Sequence, residues 1–197
     1  MPTSVSIIGA GGHALVVMDA LTQLGVPFDL WDQNPNHAGH LRLGCIVRHM
    51  DDATFAALSD QAHVAIGHNA TRAKLVAQLA GAGKTLFTVV HPMASVAASA
   101  TIAAGAFVGA NATVAPLASV GRAAIINHGA VVDHDAVVED CAHLAQNATL
   151  CGRARLGRCA KAGAASVIST ACVVGAEADI APCTVVGENS TATGVTT

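Results

Sequence analysis

From Val96 onward the chain repeats every six residues. Sixteen consecutive hexads follow without an insertion, from VAASAT at 96–101 to VGENST at 186–191. The first position is aliphatic throughout, with Ala162 the small exception. The fifth is always small: alanine in twelve hexads, then Ser166, Cys172, Thr184 and Ser190. An α-helix repeats every 3.6 residues and a plain strand every two, so neither carries this pattern. A solenoid does, because a fixed internal period marks a stack of identical structural units. The small fifth position leaves no room for rings inside the stack. This agrees with an aromatic content of 3% and no tyrosine.

Residues 1–90 follow a different rule. Ser4–Ile8 reads as a strand, Gly9–Gly12 as a turn and Ala14–Leu24 as a helix stopped by Gly25. Phe28–Trp31 is a second strand, followed by a polar loop with Asn34, Pro35 and Asn36. Cys45–Val47 is extended, Thr54–Leu58 helical and His63–Ile66 a strand. Thr71–Leu79 is a helix ended by Gly81 and Gly83, and Leu86–Val90 is the last strand before His91-Pro92. Strands alternating with helices imply a parallel sheet with right-handed crossovers. The expected organisation is a domain over 1–90 and a solenoid over 91–197.

Composition narrows the function classes. The net charge is -3 and only 12% of residues are charged, with no basic run and no aromatic-basic interleaving, so nucleic-acid binding is not expected. No apolar stretch is long enough for a membrane span, and MPTSVSIIGAGGHA lacks the basic start of a secretory signal. A cytoplasmic protein is the expectation. The six cysteines form no CxxC pair, which argues against a zinc ribbon or a disulfide framework. The sparse surface charge suits burial between copies of the chain.

The breaks in the hexad monotony carry the chemistry. In VDHDAV the third and fourth positions are His134 and Asp135. His143 closes a later hexad and is expected on a flat face, turned to solvent. The stretch NHGAVVDHDAVVEDCAHLAQNATLCG resembles the NeuD/PglD-like sugar acetyltransferases. These hexapeptide-repeat enzymes include N-acetyltransferases of nucleotide-linked amino sugars and sialic acid O-acetyltransferases. The resemblance implies a left-handed parallel β-helix preceded by a Rossmann-like α/β half domain, and a homotrimer with acetyl-CoA between neighbouring prisms. It implies His134 as catalytic base with Asp135 beside it. Acetyl-CoA contacts are implied at His143, Gly152 and Ala164. Histidine suits the first role because its unperturbed pKa is about 6.5.

Gly9-Ala10-Gly11-Gly12-His13-Ala14 follows a strand, opens a helix and fits GxGxxA, with Asp32 ending the second strand. Such a loop presents backbone N–H groups to a phosphate. A complete dinucleotide fold needs two mononucleotide halves, and about 90 residues supply only one, which fits the nucleotide of an activated sugar. In the resembling family this domain binds the UDP or GDP part of the substrate. Substrate contacts are therefore implied at Gly11, Gly12, His13, Asp32, Gly67, Asn69 and Asn127. Three alternatives to N-acetylation remain at this point. One is O-acetylation of a sugar hydroxyl. Another is a metal enzyme resembling β-helical carbonic anhydrases, although His128 and His134 fall at different corners and no metal is expected. A nucleotide-sensing scaffold without catalysis is the third. An acyl-cysteine route through Cys141 or Cys159, stacked eighteen residues apart, is the rival mechanism. The family's usual GVPAK-like tail is replaced here by TATGVTT.

Overall fold

A computed structural model describes residues 4–187. The N-terminal part is a six-stranded sheet built from β1 (Val5–Ile8), β2 (Phe28–Asp32), β3 (Leu41–Arg42), β4 (Cys45–His49), β5 (Gln61–Val64) and β6 (Thr85–Leu86). The strand order is β3-β4-β2-β1-β5-β6, parallel except for the β3–β4 edge hairpin. Helices α1 (Gly12–Gln23) and α2 (Asn69–Gly81) form the crossovers after β1 and β5. The expected helix at Thr54–Leu58 is a single 3₁₀ turn, Phe55–Ala57.

The second part is a left-handed parallel β-helix of three flat faces. Each hexad supplies one two-residue strand from its neighbour's sixth position and its own first. The strands pair with those eighteen residues away, as in Ile125 with His143 and His143 with Lys161. The first face carries Val89–Val90, Phe107–Val108, Ile125–Ile126, His143–Leu144, Lys161–Ala162 and Asp179–Ile180. The second face includes Val131–Val132 and Thr149–Leu150, and the third Val137–Val138 and Arg155–Leu156. First-position aliphatics and fifth-position alanines make one continuous buried core.

The prism begins earlier than the hexad count suggests. Leu86–Val90 is not one strand. Thr85–Leu86 closes the N-terminal sheet, whereas Val89–Val90 pairs with Phe107–Val108 as the prism's first rung. Residues 90–95, VHPMAS, already obey the rule, with valine first and alanine fifth. The Pro92 corner masks this in sequence.

Every fourth position from Gly105 to Cys183 is left-handed, with φ between 52° and 76°. A left-handed L-residue costs about 1–2 kcal/mol. At most of these positions the strained residue donates its N–H to the third-position carbonyl of the coil before, as Asp135 does to Pro116 (3.2 Å) and Arg153 to His134 (3.0 Å). This conformation turns the side chain of Asp135 outward beside that of His134.

The α/β part docks on the first face and the adjoining third–first corner. Phe107 and Ile125 of the prism pack with Ala14, Val17 and Leu21, and Ala123, Cys141 and Cys159 with Leu75 and Leu79. No helix among the described residues is long and apolar enough to cross a membrane.

Candidate active site

His134 and Asp135 stand on the corner between the second and third faces. His134 Nδ1 lies 2.9 Å from Asp135 Oδ2, and the His134 amide donates to Asp133 Oδ1 at 2.7 Å. A carboxylate only accepts, so the proton sits on Nδ1 and Nε2 is left with a free lone pair. The His134 pKa is raised above its ordinary value, first by the hydrogen bond to Asp135 and then by the Asp133 charge.

Gly152 lies one coil further along the same corner, beneath the imidazole. A Cβ there would stand 2.6 Å from His134 Nε2 and 2.8 Å from Cε1. The ring occupies this place because Gly152 has no side chain. Gly152→Ala is expected to push the imidazole aside. Displacements of about 1 Å cost up to about 10²-fold in rate, so turnover should fall by about 10–100-fold with the melting temperature held. A crystal structure showing His134 unmoved in the variant would refute this account.

The remaining sequence-derived residues gather elsewhere on the chain. His143 sits on the first face, the one covered by the α/β part, so it is not the solvent-turned residue its hexad position suggests. Burial pushes its pKa down to about 4, helped by the Arg72 charge and opposed by the Gly67 backbone. Asn127 is buried beside it. Asn127 Oδ1 accepts from the His128 amide (2.9 Å) and faces His128 Nδ1 (3.1 Å). Its Nδ2 therefore faces His143 Nε2 at 3.2 Å. That fixes the His143 tautomer with the proton on Nδ1, a buried atom on the side of the Gly67 backbone. Ala164 lies at the first–second corner, two coils after His128, and so away from Gly152.

His13 reaches from the first turn of α1 to the prism and meets Phe107 edge-on at 5.0 Å. Its Nε2 is buried and unpartnered. Burial, then the neighbouring His63, His143, Arg72 and His128, hold it neutral. Burial likewise lowers His63 to about 4.

The glycines of the first loop divide by role. Gly9 has φ +106°, and a Cβ there would meet Ile66 at 2.7 Å, so the fold itself requires it. Added Cβ atoms at Gly11 and Gly12 would meet open space, which leaves the N-terminus of α1 approachable. Asp32 is engaged within the protein. Its Oδ2 accepts from the Ala10 amide (2.6 Å), its Oδ1 from the Asn34 amide (2.7 Å), and His37 Nδ1 lies 3.2 Å away. It shapes the loop, and 14% of its side chain remains exposed.

A cavity of about 680 Å³ opens between this part and the first face, with Gly67, His68, Asn69, His143, Lys161 and Asp179 in its lining. Asn69 contributes its edge, although its side chain is committed to the domain junction. Its Nδ2 donates to the carbonyls of Cys159 (2.7 Å) and Ala160 (3.0 Å), and its Oδ1 accepts from Arg72. Arg72 itself, 1% exposed, was invisible as a key residue in the sequence. Its guanidinium donates to the carbonyls of Ala123, Cys141, Ile66 and Gly67. Ala123, Cys141 and Cys159 occupy successive coils of one corner, so Arg72 and Asn69 together grip three rungs. Cys141 is buried there with its thiol pKa raised by desolvation, the wrong direction for a nucleophile.

The comparisons agree with this architecture. Residues 4–79 match the family model of the PglD N-terminal domain. The structure of PerB from Caulobacter crescentus in complex with CoA and GDP-perosamine is 33% identical, with 93% of this chain and 88% of that chain covered and a TM-score of 0.87. The chain belongs to the NeuD/PglD-like sugar acetyltransferases. The acetyltransferase domain of PglB from Neisseria gonorrhoeae matches at 28% identity over 94% of this chain and 91% of that one, with a TM-score of 0.88. The same domain in complex with acetyl coenzyme A matches at 26% identity over 97% and 96%, with a TM-score of 0.86. A search of curated proteins returned no match. This sugar acetyltransferase thus distributes its polar groups over two places. His134, Asp135 and Gly152 share the second–third corner, whereas His143, Asn127, His13 and the cavity lie on or beside the first face. The TATGVTT tail lies outside the described residues.

Proposed function

We propose that this enzyme transfers acetyl from acetyl-CoA to the amine of a nucleotide-linked amino sugar, in a site shared between copies of a homotrimer. The observation that carries the reading is the His134–Asp135 pair with Nε2 free above Gly152. The similar PerB structure, with CoA and GDP-perosamine in its complex, supports this substrate pairing.

The acceptor amine attacks the thioester carbonyl and gives its proton to His134 Nε2. Asp135 orients the ring and stabilises the imidazolium, as the acid of a triad does. The tetrahedral oxyanion needs donors. Neutral His143, with its proton on Nδ1, is one such donor. Collapse breaks the C–S bond, and the thiolate leaves with the proton from His134. No acyl-enzyme forms.

One chain keeps His134 and His143 apart, on a corner and on the face opposite it. A second prism laid alongside brings the corner of one copy to the first face and nucleotide half of the next. The amino sugar then reaches His134 from the neighbour's Gly11–Gly12 loop, and the pantetheine arm lies in the groove between prisms. The test is thiol release from acetyl-CoA with UDP-, GDP- and dTDP-linked amino sugars. Turnover with at least one of them is expected. Mixing His134→Ala chains with His143→Ala chains should restore activity in hybrid trimers. Equal turnover by a sedimentation-defined monomer would overturn the shared site.

A further inference from the structure

The two halves of the proposed site differ in one respect: cations that are not already committed. A sugar diphosphate carries negative charge next to the anomeric carbon, yet residues 9–41, spanning the glycine loop, α1 and the end of β2, contain no lysine or arginine. Residues 61–71 contain none either. The next cation, Arg72, is buried and spent on carbonyls, Arg42 stands on the outer β3–β4 hairpin, and the two cations that line the cavity, Arg158 and Lys161, are paired with Glu177 and Asp179. Backbone N–H groups at α1 offer only partial charge.

The corner that bears His134 has what the loop lacks. Arg153 follows Gly152 in the coil immediately after His134, and its amide donates to the His134 carbonyl. It is a long cation in the left-handed conformation, φ 60°, where small residues or Asn and Asp are the easier choice. Its neighbours Arg155 and Arg158 are tied to Glu139 and Glu177. Arg153 makes no ion pair and no side-chain hydrogen bond among the described residues, and it is exposed. The two carboxylates close by, Asp133 and Asp135, are already engaged by His134.

We propose that Arg153, on the copy that presents His134, binds the diphosphate of the acceptor held by the neighbouring copy. The inference rests on the nucleotide-sugar reading above and deepens it. Adjacent coils are about 4.8 Å apart. With the amine at His134 Nε2, the phosphates lie about a sugar ring away, within reach of a long side chain one coil on. A guanidinium meets a phosphate through two parallel N–H···O bonds. Arg153 would thus make the diphosphate a condition of acceptor recognition, and its charge would arrive only when two copies assemble.

The test compares wild type, Arg153→Gln and Arg153→Lys on two acceptors: the best nucleotide-linked amino sugar from the screen and the methyl glycoside of the same amino sugar. Hydrogen bonds to a charged group are worth about 10–100-fold in affinity. Arg153→Gln should therefore raise KM for the nucleotide-linked acceptor by about that factor, with a much smaller effect on the methyl glycoside and on KM for acetyl-CoA. Arg153→Lys should recover part of the loss. Competitive inhibition by free UDP or GDP should weaken in Arg153→Gln by a similar factor, which serves where the glycoside turns over slowly. Equal losses on both acceptors, or unchanged inhibition by the nucleoside diphosphate, would overturn the role of Arg153 while leaving the acceptor reading intact. Failure of wild type to use any nucleotide-linked sugar would overturn both.

Discussion

His134→Asn and His134→Ala are expected to lower turnover by about 10²–10⁴-fold, the usual worth of a general base, with thermal unfolding unchanged. The imidazole is about half exposed on a corner and packs into no core, so its removal leaves no cavity. The pH profile separates its role from that of a binding group. Only neutral His134 can accept the proton, so activity falls as pH drops through its raised pKa. Asp135→Asn removes the first cause of that elevation, so the acidic limb should move to lower pH while the plateau falls. A His134 variant that keeps more than about a third of wild-type turnover cannot have lost a general base worth about 10²-fold or more. An acidic limb that stays in place in Asp135→Asn would show that another group titrates there.

The repeat made the prism legible because its rule is local and its exceptions are few. Aliphatic first and small fifth positions leave a single way to fill a triangular core, and His134 and Asp135 could be placed on a corner by counting. Counting also put Gly152 one coil after His134, although the reason for glycine there is steric and appears only with the imidazole in position. His143 shows where counting stops. Its hexad position turns it outward, but whether outward means solvent depends on which face the α/β part covers, and no residue in the repeat states that. The docking is recorded in Phe107, an aromatic between Val89 and Ile125 on its ladder, and in Asn69 and Arg72 three residues apart at the start of α2. Their partners are backbone carbonyls, which carry no sequence signature. Asp32 is a similar case. Its place at the end of β2 suggests a ligand contact, but the sequence does not reveal that the same carboxylate holds the Ala10 and Asn34 amides.

Arg72→Met is expected to cost about 3–5 kcal/mol of stability, the largest loss from any single substitution outside the prism core. Methionine is close in volume, so the change removes donors rather than packing. It strands the carbonyls of Ala123 and Cys141 beneath α2, and those of Ile66 and Gly67 in the loop above. A buried acceptor left unpaired costs about 1–3 kcal/mol. An opposing term exists, because burial already strains the guanidinium and pushes its pKa down to about 10, and methionine escapes that desolvation. The acceptors prevail, since the cation meets at least four of them and water has no path to replace it at a site 1% exposed. Arg72→Lys should recover little, because one ammonium cannot reach carbonyls on two coils and the loop together. Denaturant titration gives the total loss, and hydrogen exchange shows where it falls. Amides of α2 and β5 should exchange faster while those of the prism, held by its own ladder, keep their protection. Unchanged stability in Arg72→Met would mean that the apolar contacts around Phe107 and Leu75 suffice to hold the junction. Activity should fall with the junction even in molecules that stay folded, because the same arginine holds Gly67 over His143.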